Sequence, residues 1–287
     1  MIRTIVGRQN ASIKLARKLQ RKKYRTERGL CVAEGFDLLA SGVAHGLVPR
    51  EVLVREGLES RVSELLGPSV SEVNVGVCTQ SLIEECSSLG GAADVLALFP
   101  LPVASLADVD MGEGLTLYVH EVGDPGNVGT LVRSAAAFGA GGVLLSPRTA
   151  DGCSPKALRA GMGAQFVVPV VPEVSFDDVQ RKMAADVRRG ESAPEVLVAE
   201  AKAGDDPREV VQRAQGAGGV LLVLGSERGS LPDMSQATTA VTIPQQALDS
   251  LNVAMAGTIL LYEISRVRAA GRGGSEGVGD ARPTSKA

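Results

Sequence analysis

Ile243-Pro244-Gln245-Gln246-Ala247-Leu248-Asp249-Ser250-Leu251-Asn252-Val253-Ala254-Met255-Ala256 decides how this chain is read. Val241 and Ile243 are β-prone, and Pro244, which has no amide hydrogen, ends the strand. Asp249 or Ser250 is expected to cap the next helix, because a short side-chain oxygen can accept from the free N–H groups of a first turn. Leu251, Met255, Ile259, Tyr262 and Val267 then recur near helical spacing. A polar loop between a buried strand and a buried helix is where α/β proteins place ligands.

Two upstream stretches repeat that grammar. Leu224-Gly225-Ser226-Glu227-Arg228-Gly229 follows the apolar run Gly219–Val223, and Asp124-Pro125-Gly126-Asn127-Val128-Gly129-Thr130-Leu131-Val132-Arg133 follows Leu115–Val119. Each reads as strand, Gly- or Pro-bearing turn, then helix. Strands are expected at 115–121, 142–146, 166–170, 195–199, 219–224 and 239–243, with helices at 128–138 and 178–188 and a short one within 154–163. Such alternation implies a mostly parallel sheet covered on both faces.

Before residue 108 a smaller α/β unit is expected. It opens with a basic helix from Asn10 to Arg25. Strands at 30–33, 51–54, 73–75 and 94–99 alternate with helices at 36–43, 58–66 and 81–87. The acidic, Gly-bearing stretch 108–114 reads as a linker. The domains are therefore 1–107, 115–268 and a Gly-, Ser- and Pro-rich tail, 269–287, expected to be disordered.

The 287 residues carry a net charge of −3, which argues against wholesale attraction to nucleic acid. That average hides an asymmetry. The first thirty residues hold ten basic side chains against the single Glu27, a net +9 that leaves −12 on the remainder. Lys14, Arg17, Lys18, Arg21, Lys22, Lys23 and Arg25 are thus candidates for phosphate contact. A solvated amphipathic helix, with Ile13, Ala16 and Leu19 inward, is the plainer reading. Cys31, Cys78, Cys86 and Cys153 form no C-x-x-C pair and only two His are present, so no metal site is expected and the thiols read as reduced. No leader pattern and no membrane-length apolar run opens the chain, so a cytoplasmic location is expected.

The three motifs together resemble the signatures of the SpoU/TrmH family of SPOUT-class methyltransferases. The resemblance implies transfer of a methyl group from S-adenosylmethionine to an RNA ribose 2′-hydroxyl. It also implies a deep trefoil knot, a homodimer formed through the knotted domain, and an L30e-like substrate-binding domain at the N-terminus. In the family the residue matching Arg133 activates the hydroxyl, although a guanidine is a poor base near neutral pH. Asn127, Glu227, Ser250 and Asn252 complete the implied catalytic set. Leu224, Ile243 and Leu251 would wall the adenine. Gly225, Ser226, Gly229, Gln245, Asn252 and Ala254 would complete the cofactor loops. Lys156 and Arg159, three apart on one helical face, suit RNA phosphate contact, and an ordinary solvated face serves them equally. Gln245 stands where many relatives have Met, Ala254 where Ser is common and Gly161 where Ser is frequent.

Other readings stand beside this one. Gly123-x-x-Gly126-x-x-Gly129 after a strand could be a dinucleotide turn, with Arg148 meeting a 2′-phosphate, but its spacing is not G-x-G-x-x-G. A catalytically silent RNA-binding or ribosome-assembly protein would keep the fold without the chemistry. Ribosomal RNA of the 23S type is the first choice of substrate, since a basic arm on a small domain suits a large structured RNA. Transfer RNA is the second.

Overall fold

The computed structural model describes residues 2–88, 93–213, 218–225, 231, 238–246 and 250–272. The described residues build two sheets. The first comes from β1 (Ile2–Ile5), α1 (Ala11–Leu19), α2 (Lys22–Arg28), β2 (Leu30–Glu34), α3 (Phe36–Ala44), β3 (Glu51–Arg55), α4 (Glu59–Leu66), β4 (Asn74–Cys78), α5 (Gln80–Cys86) and β5 (Val95–Pro100). Its order is β1-β4-β3-β5-β2, with β5 antiparallel to both its neighbours. Alternation along the strands divides the core. Val32, Leu53, Leu96 and Leu98 meet Ile13, Ala16 and Leu19 of α1, with Leu82 and Ile83 of α5. Cys31, Ala33, Val52, Val54 and Phe99 meet α3 and α4 on the other face.

Two details depart from expectation. β1, an edge strand with only Ile5 buried, was not legible in Ile2-Arg3-Thr4-Ile5. The basic helix is broken at Arg21, whose backbone is extended. The break follows from side chains that draw the chain inward. Gln20 donates to the Cys86 carbonyl at 2.7 Å and to the buried Glu34 carboxylate at 3.1 Å. Arg25 Nη1 reaches back to the Leu19 carbonyl at 2.7 Å, satisfying a helix-end acceptor that has no intrahelical partner.

The second sheet comes from β6 (Leu115–His120), α6 (Pro125–Ala137), β7 (Gly142–Leu145), α7 (Pro155–Ala160), β8 (Val170–Val171), α8 (Phe176–Arg188), β9 (Glu195–Ala199), α9 (Pro207–Arg213), β10 (Val220–Gly225), β11 (Thr239–Val241) and α10 (Val253–Arg272). Its order is β11-β9-β10-β6-β7-β8 and every pairing is parallel. One face packs on α6, α9 and α10, the other on α8. Val109 and Met111, within the expected linker, are buried on the α8 side. The strand expected at 166–170 shrinks to Val170–Val171, preceded by a 3₁₀ turn at Ala164–Phe166. Pro169 has no N–H to give a ladder, so pairing starts after it. Helix α10 runs to Arg272, past the start of the expected tail; 273–287 lies outside the described residues.

The two sheets are clamped together. Leu158 of α7 is buried in the first core, and the Phe99 and Phe166 rings meet at a tilt of 52° with their centroids 5.2 Å apart. From β6 the chain winds outward to β8, then returns to β9 on the far side, with β10 inserted between. The carboxyl ends of β9, β10 and β6 therefore lie side by side where the strand order reverses, the place where such sheets bind ligands.

Candidate active site

Helix α6 begins where the Asp124-Pro125 pair predicts. Asp124 Oδ1 accepts from the Gly126 and Asn127 amides at 2.7 and 3.0 Å, and Pro125 occupies the first turn, where its missing N–H costs nothing. Lys156 Nζ donates to Asp124 Oδ2 at 2.7 Å. That bond and the two amides hold the Asp124 carboxyl below its ordinary pKa. Gly129 sits against the Ala157 carbonyl, where any Cβ would collide, so α7 lies directly on α6.

Helix α10 is capped by Asn252, not by Ser250; Asp249 lies outside the described residues. Asn252 Oδ1 accepts from the Ala254 and Met255 amides at 2.9 and 3.3 Å. Its Nδ2 donates to Asn127 Oδ1 at 3.2 Å. The starts of α6 and α10 are thereby tied. The Ser134 and Thr258 hydroxyls, 2.7 Å apart, repeat the tie two turns on. Gly257 leaves room between them for Leu131 and Leu224.

Arg133 lies on the exposed face of α6 and has no hydrogen bond or ion pair among the described residues. Asn127 is half-buried on a different side of the same helix. The structure therefore brings Asn127 and Asn252 together and leaves the guanidinium open to solvent. Ser226, Glu227 and Gly229 lie outside the described residues.

A cavity of about 250 Å³ opens at the carboxyl ends of β9, β10 and β11 and the start of α10. Leu224, Gly225, Ile243, Gln245, Ser250 and Leu251 line it, as expected for a cofactor loop. Ala254 does not; it is 3% exposed in the core, and its amide serves the Asn252 cap. The sequence reading missed Ala199, Glu200 and Ala201 at the end of β9, which also line the cavity. Their signal was available, since they follow a parallel strand at its carboxyl end. Gln245 Oε1 is buried without a hydrogen-bond partner among the described residues.

The basic residues divide. Lys14, Arg17, Lys18, Arg21, Lys22 and Lys23 are exposed along α1 and α2. Lys18 lies 5.5 Å from the Tyr24 ring centroid, Lys23 pairs with Glu27 at 3.8 Å, and Lys22 pairs with Glu173. Arg25 is not an RNA-facing residue. It is 3% exposed and donates through Nε to Asp151 Oδ2 at 3.0 Å, an ion pair that joins the two halves of the chain. Lys156 is exposed and held by Asp124, whereas Arg159 has a buried Nη1 without a hydrogen-bond partner among the described residues. All four cysteines are free and buried. Burial pushes the Cys31 and Cys78 thiols up to about 12 and Cys86 to about 11. Among the described residues no group of three His, Cys, Asp or Glu could hold a metal ion, and no helix is long and apolar enough to cross a membrane.

Comparison with known proteins bears directly on this arrangement. Residues 114–262 match the model of the SpoU rRNA Methylase family, and residues 10–97 match the MRM3-like substrate binding domain. The 23S rRNA (uridine(2479)-2′-O)-methyltransferase of Streptomyces viridochromogenes is 29% identical over 88% of this chain and 88% of its own length. The 23S rRNA (guanosine(2553)-2′-O)-methyltransferase RlmP of Bacillus subtilis is 28% identical over 92% of this chain and 99% of its own. The crystal structure of an AdoMet-bound rRNA methyltransferase from Sinorhizobium meliloti superposes with a TM-score of 0.77 at 26% identity, covering 92% of this chain and 98% of that one.

Proposed function

The chain belongs to the SpoU rRNA Methylase family, and from that membership we propose that it is an S-adenosylmethionine-dependent RNA 2′-O-ribose methyltransferase acting on ribosomal RNA of the 23S type. The observation that carries the reading is the Asn127–Asn252 bond, which ties the start of α6, the helix of Arg133, to the start of α10 beside the cavity.

The cavity residues fit the adenosine part of the cofactor. Leu224, Ile243 and Leu251 offer apolar walls, and the orphaned Gln245 Oε1 offers a polar partner. When bound, S-adenosylmethionine supplies an electrophilic methyl group on a sulfonium that leaves readily. What remains for the protein is alignment and proton removal. Asn127 and Asn252 fix each other's amide planes, so neither has to reorganise when substrate arrives. Arg133 holds a permanent positive charge at the surface, suited to an RNA phosphate and to the negative charge that grows on a ribose oxygen as its proton leaves. Ser250 and Glu227 belong to the same proposed set.

The exposed cations of α1 and α2 would bind the RNA backbone, with residues 1–107 as substrate domain and 115–268 as methyltransferase domain. A homodimer is supported by Met255, Ile259 and Tyr262, exposed by 66%, 40% and 42% along one stripe of α10. The family's trefoil knot is part of the same reading, as is a cytoplasmic location, in keeping with four free thiols.

Methyl transfer tests the proposal. The full chain is incubated with labelled S-adenosylmethionine and, separately, 23S ribosomal RNA and transfer RNA, with Arg133→Ala alongside. Label in the ribosomal pool that protects one ribose from alkaline cleavage, and that falls by about 10²–10³ in the variant, is the expected result. Label confined to transfer RNA would overturn the substrate. No label and no cofactor binding would overturn the enzyme.

A further inference from the structure

Gln245 follows Ile243-Pro244 beyond the end of β11, and its side chain lines the cavity. Its amide oxygen is shut off from solvent and meets no donor among the described residues. A buried, unmet acceptor costs free energy, and a ligand that brings a donor removes the cost. Leu224, Ile243, Leu251 and Val253 give the cavity wall its apolar part. Glu200 and Ser250 line the cavity too, but both are exposed, and the Gln245 oxygen, buried against the apolar part of the wall, suits a flat heterocycle that carries an amino group on its edge. Glutamine pairs with adenine in this way when proteins read bases, its oxygen accepting from the 6-amino group.

Resting on the cofactor reading above, we infer that Gln245 Oε1 accepts a hydrogen bond from the 6-amino group of the bound adenine, and that this side chain makes the site select adenine. The apolar walls alone would hold any purine of the same shape, since burial of a flat ring depends on area and not on its edge groups. Discrimination between purines therefore falls to the amide. Pro244 strengthens the case, because its fixed φ stiffens the backbone immediately before Gln245 and lowers the cost of holding the side chain in place.

The test is titration calorimetry of the full chain with two compounds, S-adenosylhomocysteine and its analogue with hydrogen in place of the 6-amino group. Wild type is expected to bind the amino compound about tenfold more tightly, the worth of one satisfied buried hydrogen bond. Gln245→Met, similar in size but without the acceptor, is expected to weaken the amino compound about tenfold and leave the analogue unchanged. Gln245→Glu, which keeps an oxygen at that place, is expected to retain the preference. The inference is overturned if wild type binds both compounds equally, or if Gln245→Met still prefers the amino compound. Should Gln245→Met fail to fold, loss of the preference in Gln245→Glu overturns it. Failure of wild type to bind either compound would sink the cofactor reading itself, and this inference with it.

Discussion

Asn252 gives its two side-chain groups to two helices. Oδ1 accepts from the amides of Ala254 and Met255 and so caps α10, while Nδ2 donates to Asn127 Oδ1, 3.2 Å away in the first turn of α6. One amide thus couples the stability of a helix to the geometry beside the cavity. The two roles are separable by substitution.

Asn252→Asp keeps a capping oxygen, and a carboxylate suits a helix N-terminus. It loses the donor and sets an acceptor against Asn127 Oδ1. The melting temperature is expected to stay near wild type while kcat/KM for methyl transfer falls at least about tenfold. Asn252→Ala loses both roles and about 1 kcal/mol of stability. Wild-type turnover in Asn252→Asp would show that the bond to Asn127 has no part in the chemistry.

Arg25 and Arg17 are expected to separate stability from binding. Removing one partner of a buried ion pair leaves the other charge uncompensated, so Arg25→Ala should cost about 3–5 kcal/mol in urea unfolding. Arg25→Lys should recover little of that, since an ammonium cannot reproduce the guanidinium's simultaneous reach to Asp151 and to the Leu19 carbonyl. Arg17→Ala, exposed on α1, should leave the unfolding midpoint unchanged. It should weaken RNA binding and lower the slope of log affinity against log salt by about one. A stable Arg25→Ala protein would contradict the assignment of that pair as a joint.

Glu200 lines the cavity from the end of β9, exposed and without an ion pair among the described residues. A carboxylate there favours a cationic ligand over a neutral one. Glu200→Gln is expected to weaken S-adenosylmethionine by about two- to fivefold and S-adenosylhomocysteine, which lacks the sulfonium charge, by less. The gap should close as salt is raised. Equal losses for the two ligands would remove the electrostatic role.

The acid limb of stability should carry an Asp124 contribution. The fold favours its ionised form, through Lys156 first and then the Asn127 and Gly126 amides. A depressed carboxyl lends stability that is complete above the unfolded-state pKa and is lost as pH falls through the lower folded value. That window begins below about pH 4. Asp124→Asn keeps a capping oxygen without a titration. Melting temperatures of the variant should fall less steeply than wild type below that pH, and parallel curves would count against the assignment.

Local grammar was legible. Asp124-Pro125 marked the start of α6, and the apolar runs marked β6, β9 and β10, because capping and strand burial depend on residues close in sequence. The 166–170 strand failed for a local reason as well, since Pro169 denies the ladder a donor. Asn252 was marked as a residue of the site, but its part as the cap was not resolved. Asp249, Ser250 and Asn252 all carry a short oxygen, and only the path of the backbone selects among them.

By itself the sequence determined the alternation of strands and helices, the three polar loops at strand ends and the charge gathered at the N-terminus. These follow from periodicity, turn chemistry and charge count, which are short-range properties. Tertiary structure alone decided that Arg25 is buried against Asp151 and not offered to RNA, that Asn252 meets Asn127, and that Glu200 shares a cavity with Gln245. Each of these joins residues far apart in sequence. Whether a charge is solvated or buried, and whether an amide finds a partner, depends on what the folded chain brings beside it.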